Sequence, residues 1–235
     1  MADRVSLLTP TCDRPFGFAL AERWMGAQSV GWHEWIVADG GSVPVVPTLG
    51  QRHLHAPTPP GARNFTANLT RGLAAVTGDV LVVIEDDDYY APTHLATILG
   101  QLGKPGVEIA GDDCQRYYNV KHRRWRVFQN RGASLCQTAI RRDLFRYLRV
   151  AIEGQAKVGI GYGVDGALWA AVPETAKSLQ RTNTVVGVKG LPGREGLGIG
   201  HRPHGPGWTD DQSGRQLRAW IGADAEVYFG AGVAA

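Results

Sequence analysis

Four consecutive acids, Glu85, Asp86, Asp87 and Asp88, follow the apolar run VLVVI (80–84) without a break. An apolar run of that length suits a buried strand of a parallel sheet, and a core does not accept unpaired carboxylates. Closely spaced carboxylates at a strand end are what a hard divalent cation requires, because such ions take oxygen ligands and bring a nucleotide's phosphates with them. The cluster is therefore expected to hold Mn2+ or Mg2+; the plain alternative is a solvated acidic loop. A second group with chemical potential is basic. KHRRWRVFQNR (121–131) sets five cations among two aromatics, and RRDLFRYLR (141–149) adds four arginines. Cations interleaved with aromatics suit a phosphate backbone and a base taken out of its stack, whereas a salt-bridged surface is the plain alternative.

The scaffold that must position these groups is bounded by bulk properties. At 235 residues and 43% hydrophobic content the chain suits one large α/β domain with an ample core, which excludes a disordered chain. A net charge of +3 permits an anionic partner without demanding one. Cys12, Cys114 and Cys136 are odd in number and match no zinc spacing, so they are expected as buried, reduced thiols of a cytoplasmic protein. The N-terminal apolar run is too short for a signal-peptide core, and no stretch is long enough to cross a membrane. The glycosylation sequons at Asn64 and Asn68 are accordingly attributed to chance.

Periodicity and punctuation predict the elements. RVSLLTPT (4–11) reads as a strand, 16–28 as a helix, and EWIVADGGS (34–42) as a second strand ending in a glycine turn. A proline-rich loop (55–61) leads to a helix over 62–78, closed by Gly78, and then to the strand before the acids. A helix after Pro92, a strand GVEIAGDD and a β-hairpin over 116–130 follow, the hairpin turning near Lys121 and His122. ASLCQTAIRRDLFRYL is expected as strand then helix. Residues 187–208, dense in Gly and Pro, are expected as a flexible loop before a helical segment. Alternating strands and helices predict a mostly parallel central sheet with helices on both faces. The acids stand at the carboxyl end of such a strand, where open α/β sheets bind ligands.

The ordered blocks VSLLTPTCDRP, EWIVADGGS, GARNFTANLTRGLAAVTGD and VIEDDDYYAPTHL resemble the GT-A fold glycosyltransferases of family 2, in order and spacing over residues 4 to about 100. SLCQTAIRRDLF and GYGVDGALW extend the likeness to about 170. The resemblance implies a single GT-A (Rossmann-like) domain over 1–235, with a nucleotide-sugar half (4–110), an acceptor half (111–186), the loop (187–208) and a C-terminal helix and tail (209–235). It implies that Thr9, Pro10 and Thr11 line the base and ribose pocket, with Arg14 nearby, and that Asp39 accepts from the nucleobase. Arg63, Asp86, Lys189 and Arg194 would serve the donor's sugar and diphosphate. Family members often carry a second acid after that aspartate, where this chain has Gly40.

The family's register puts Glu85 and Asp87 at the two DXD positions, while Asp86 and Asp88 satisfy the same spacing. Asp87 is the expected main metal ligand, with Asp88 and a loop histidine, His201, as its companions; His204 lies close by. The resemblance further implies an inverting transfer with a carboxylate base at a helix start. Asp165 holds that place, although Val164 stands where a glutamate is usual, and a helix cap is its other reading. The donor is expected to be a UDP-sugar and the acceptor a soluble sugar or small molecule. Alternatively the acceptor is a hydroxymethylated base in DNA; Asp112, Arg123, Arg124 and Trp125 are the expected acceptor residues. A nucleotidyltransferase would need a phosphate-cradling glycine loop after the first strand, where TPTCDRP stands instead. A non-catalytic nucleotide-binding module is the remaining alternative.

Overall fold

Strands whose both faces are apolar need helices on both sides, and the chain supplies them. The computed structural model describes residues 3–59, 63–129, 131–159, 163–196 and 198–231, with Arg63 and Ala231 described for their backbone only. β1 (Val5–Thr11), α1 (Pro15–Gly26) and β2 (Glu34–Asp39) open it, as expected from the sequence. β3 (Arg52–His55), α2 (Arg63–Ala75), β4 (Val80–Val83), β5 (Asp88–Tyr90), α3 (His94–Leu102) and β6 (Ile109–Gly111) follow. The predicted hairpin is β7 (Cys114–Asn119) and β8 (Arg124–Gln129), and the predicted strand and helix after it are β9 (Thr138–Arg141) and α4 (Phe145–Lys157). α5 (Val164–Ala171), β10 (Lys177–Leu179), β11 (Val185–Lys189), β12 (Thr209–Asp210), α6 (Arg215–Ile221) and α7 (Ala225–Ala231) complete the described chain.

The main sheet has seven strands in the order β10-β6-β9-β4-β1-β2-β3, and β9 is the strand that runs against its neighbours. Period-two alternation sorts its side chains. Val5, Leu7, Trp35, Val37, Val80 and Val82 enter the core shared with α1, α3 and α7. Leu8, Ile36, Ala38, Leu81 and Val83 enter the core under α2, α4 and α5. From β1 the chain moves outward to β2 and β3, then returns across β1 to β4 on its other side. The carboxyl ends of β1 and β4 therefore flank a topological switch point, where a crevice forms.

The hairpin belongs to something larger than the sequence suggests. A second sheet runs β12-β8-β7-β11-β5, and its β11 lies beside the short strand that the acids enter. Asp88 is both the last of the four acids and the first residue of β5, paired with Gly187 of β11. Residues 84–87 thus cross from the main sheet to the second sheet. The C-terminal helix seals one core: Trp24 Nε1 donates to the Tyr228 hydroxyl at 2.8 Å, and the Trp24 ring meets Tyr89 edge-on at 4.9 Å. All three cysteines are free and buried. Among the described residues no helix is long and apolar enough to cross a membrane.

Candidate active site

At the switch point a cavity of about 760 Å3 opens between Pro10, Thr11 and Cys12 at the end of β1 and Glu85, Asp86 and Asp87 after β4. Its volume is that of a site for a drug-sized or cofactor-sized ligand. Asp165, Lys189, Arg194 and His201 line it as well, so residues from four distant stretches of sequence meet there.

Asp86, Asp87 and Asp88 are almost completely buried, which requires compensation of their charge. Asp86 accepts from the Thr11 hydroxyl at 2.6 Å and from Arg14 Nη1 at 2.9 Å. Asp87 divides its oxygens: Oδ1 lies 2.5 Å from Lys189 Nζ, while Oδ2 takes Arg14 Nη1 at 3.0 Å and His201 Nε2 at 3.2 Å. Asp88 Oδ1 lies 2.7 Å from Lys189 Nζ, and Glu85 Oε2 is 3.8 Å from the same ammonium. The Gly196 N–H donates to His201 Nδ1 at 3.3 Å, which leaves Nε2 as the protonated nitrogen facing Asp87.

This crowding sets the protonation pattern. Burial opposes ionisation of Asp87, but Lys189 and Arg14 overcome it and hold that carboxyl well below the usual range. Burial also opposes the Lys189 charge, and Asp87, Asp88 and Glu85 together keep it an ammonium. Glu85, whose side chain is 26% exposed, is pushed up to about 8 by desolvation despite Lys189, and Asp88 to about 6 for the same reason. Asp165 is raised by burial as well, and its charge is felt at Glu85. It sits in the first turn of α5 and accepts from the Gly166 N–H at 2.9 Å; the N-cap itself is Gly163, in the left-handed region at φ 90°.

The donor set suits a divalent cation. Asp88 Oδ2 is buried without a hydrogen-bond partner, and Glu85, Asp88 and Cys136 each bring a ligand atom within 4.8 Å of the others. An orphaned carboxylate oxygen beside the Glu85 carboxylate matches hard-cation chemistry, whereas burial pushes the Cys136 thiol up and leaves its sulfur a weak ligand. The cysteine was not anticipated, since a lone Cys carries no spacing signal.

Several expected pocket residues lie elsewhere. Thr9 faces the core rather than the cavity, because the alternation that buries Leu7 takes Thr9 the same way, and its hydroxyl accepts from Trp35 Nε1 at 2.9 Å. Asp39 is fully buried and holds the loop after β2, accepting from the N–H groups of Gly41 at 2.8 Å and Val45 at 2.9 Å, with His53 at 3.2 Å. Asp112 is occupied in the same way by Cys114, Thr182 and Asn183. Arg123 stacks over Phe229 at 4.1 Å, Arg124 pairs with Asp210 at 2.9 Å, and Trp125 meets Trp220 edge-on at 5.7 Å. These three hairpin residues brace the C-terminal elements and do not line the cavity. The Arg63 side chain lies outside the described residues.

Two asparagines to which the sequence reading gave no site role, Asn64 and Asn68, line the cavity. Asn68 Nδ2 donates to the Thr11 carbonyl at 2.8 Å and to Asn64 Oδ1 at 2.9 Å, and Asn64 reaches the Gly40 carbonyl and the Thr58 hydroxyl. Both are buried and line the cavity, pinning α2 to the ends of β1 and β2. Their i, i+4 spacing on a predicted helix was the available signal. A Cβ at residue 40 would lie 2.5 Å from Asn64 Nδ2 and 2.9 Å from Asn68 Oδ1, so glycine there makes room for the pair.

The family model described as glycosyl transferase family 2 matches residues 34–159, more than half of the chain. The mannosyltransferase PcManGT from Pyrobaculum calidifontis, solved with GDP-Man and Mn2+, is similar at a TM-score of 0.51 and 15% identity, over 82% of this chain and 58% of its own. TarS from S. aureus is similar at a TM-score of 0.54 and 9% identity, over 79% of this chain and 36% of its own. This chain thus spans less than two thirds of either protein, and both likenesses concern the fold. No curated protein matches the chain. With β2 through α4 and all four acids inside the matched segment, the chain belongs to glycosyl transferase family 2.

Proposed function

We propose that this enzyme moves a sugar from a nucleoside diphosphate to an acceptor hydroxyl with inversion, using Asp165 as general base. The observation that carries the reading is a single cavity that joins the acids after β4 to Asp165, Arg194 and His201. Pro10 and Thr11 would bound the nucleoside. Asp87 and Asp88, with His201 beside Asp87, would hold Mn2+ or Mg2+, whose charge would offset that of the departing diphosphate. Arg194 is suited to the diphosphate itself: it lines the cavity and its carboxylate contact, Asp13, is 3.8 Å away. The raised affinity of Asp165 for a proton suits a base that takes the acceptor's hydroxyl proton. As that proton moves to Asp165, the acceptor oxygen bonds to the anomeric carbon and the bond to the diphosphate breaks, its electron pair leaving with the nucleotide.

The bound GDP-Man and Mn2+ of the Pyrobaculum calidifontis mannosyltransferase support a nucleotide-sugar donor with a divalent metal, and UDP- and GDP-sugars are the first to test. The commitment of Arg123 and Arg124 to the C-terminal elements favours a sugar or other small molecule over a DNA base as acceptor. The test is a mass-spectrometric screen of nucleotide sugars with Mn2+ against small hydroxyl acceptors and hydroxymethylated DNA, with the anomeric configuration of the product read by NMR. In the same assay Asp165→Asn is expected to bind donor normally and to turn over roughly 10²-fold more slowly or worse, the usual worth of a general base. Unchanged turnover would reduce Asp165 to a structural residue of the first turn.

A further inference from the structure

Lys189 is the residue whose position the proposed reaction leaves unexplained. Its ammonium touches Asp87 Oδ1 at 2.5 Å and Asp88 Oδ1 at 2.7 Å, with Glu85 Oε2 at 3.8 Å, and the residue is 5% exposed. The opposite oxygen of Asp87 is already shared by Arg14 and His201. A divalent ion binds carboxylate oxygens at about 2.0–2.6 Å. An ion on Asp87 Oδ1 or Asp88 Oδ1 would therefore occupy the space in which the ammonium now sits, against a like charge.

We infer that Lys189 is a built-in counter-cation that competes with the divalent metal for Asp87 and Asp88, and that it must leave these oxygens when the metal binds. The fold provides for both states. β11 delivers Lys189 to the acids because Gly187 pairs with Asp88 and the Val188 N–H donates to the Asp87 carbonyl at 3.1 Å. The side chain is held close on one side, where a Cβ at Gly200 would come within 2.7 Å of its Cγ. On the other side it borders the cavity, which has room for a displaced ammonium. In the metal-free protein the lysine makes burial of the acids tolerable, and with metal bound that task passes to the ion. The inference rests on the reading of Asp87 and Asp88 as the metal's ligands.

The test is a titration with MnCl2 alone, no nucleotide present, with free Mn2+ counted by electron paramagnetic resonance. Lys189→Met, which keeps the length and removes the charge, is expected to bind Mn2+ at least about tenfold more tightly than the native protein, a modest value for a buried charge pair. Its thermal midpoint is expected to fall without metal and to recover with Mn2+. Equal or weaker Mn2+ affinity overturns the inference. Should the variant fail to fold, acetylation of the native protein settles the question. Lys189 is expected to be protected without metal and to react at least about tenfold faster in millimolar MnCl2, since a paired, buried amine is shielded; an unchanged rate is the contrary result. Asp87→Asn serves as control. If it binds Mn2+ as the native protein does, the assignment of the metal ligands fails. If it loses Mn2+ while Lys189→Met gains none, the counter-cation role alone fails.

Discussion

At the scale of single residues, the site is defined by which carboxylate keeps its charge. Asp87 is the acid of the four that its neighbours hold ionised most firmly, because Lys189 and Arg14 both act on it against the cost of burial. An anionic oxygen at the cavity wall is what a divalent cation would use. Asp87→Asn retains the shape and removes that charge. It is expected to abolish the Mn2+-dependent part of UDP affinity, a loss of at least about tenfold, since a hard cation binds an amide oxygen far less well than a carboxylate. Isothermal titration with and without Mn2+ measures it, and an unaltered metal increment would remove Asp87 from the metal site.

At the scale of elements, the segment that follows β11 closes over the cavity through specific contacts. The Arg14 Nε donates to the Arg194 carbonyl at 2.8 Å, the Arg194 N–H donates to the Asp13 carbonyl at 3.1 Å, and Gly196 meets His201. Gly196 cannot carry a side chain in this arrangement, because a Cβ there would lie 2.1 Å from His201 Nε2 and 2.5 Å from Arg14 Nη2. Gly196→Ala should therefore displace His201 and Arg14 from Asp87. The segment packs at the rim of the fold, so the expected result is weaker donor binding with a thermal midpoint close to that of the native protein. A large fall in the midpoint, or unaltered donor binding, would contradict this account of the loop.

At the scale of the whole molecule, the two sheets are joined away from the cavity by a buried histidine. His94, at the start of α3, meets the Thr184 hydroxyl just before β11 at 2.9 Å, and burial pushes its imidazole down to about 3. An unfolded histidine titrates near 6.5, so between about pH 6.5 and 3 the unfolded chain binds a proton that the native one refuses. This contribution is full above pH 6.5 and is lost as pH falls, by about 1.4 kcal/mol per pH unit. Urea unfolding of His94→Gln across that range should show a slope shallower by the same amount. An equal slope in both proteins would show that native His94 takes up the proton.

Much of the molecule was legible in the chain because its signals are local. The apolar runs of β1, β2 and β4, the glycine pair after β2, and the 3.6-residue pattern of α2 and α3 depend on residues within one or two turns of each other. The acid cluster was legible for the same reason: four carboxylates beside a buried strand demand compensation wherever the chain goes. What compensates them was not legible. Lys189 lies 102 residues from Asp87 and Arg14 lies 73 residues before it, and only the pairing of β11 with β5 and the return of the chain across β1 bring them together. The hairpin arginines show the converse. Their composition suggested a nucleic-acid surface, but a cation's role depends on what packs against it, and the tertiary structure places Phe229, Asp210 and the 203–206 carbonyls there. Local sequence determined β1, β2, β4, β6 to β9, most of the helices and the need for a charged partner; β3, β5, β10, β11 and β12, the last residues of β11 having been expected as loop, and the partners themselves depend on strand order, which no short stretch of sequence contains.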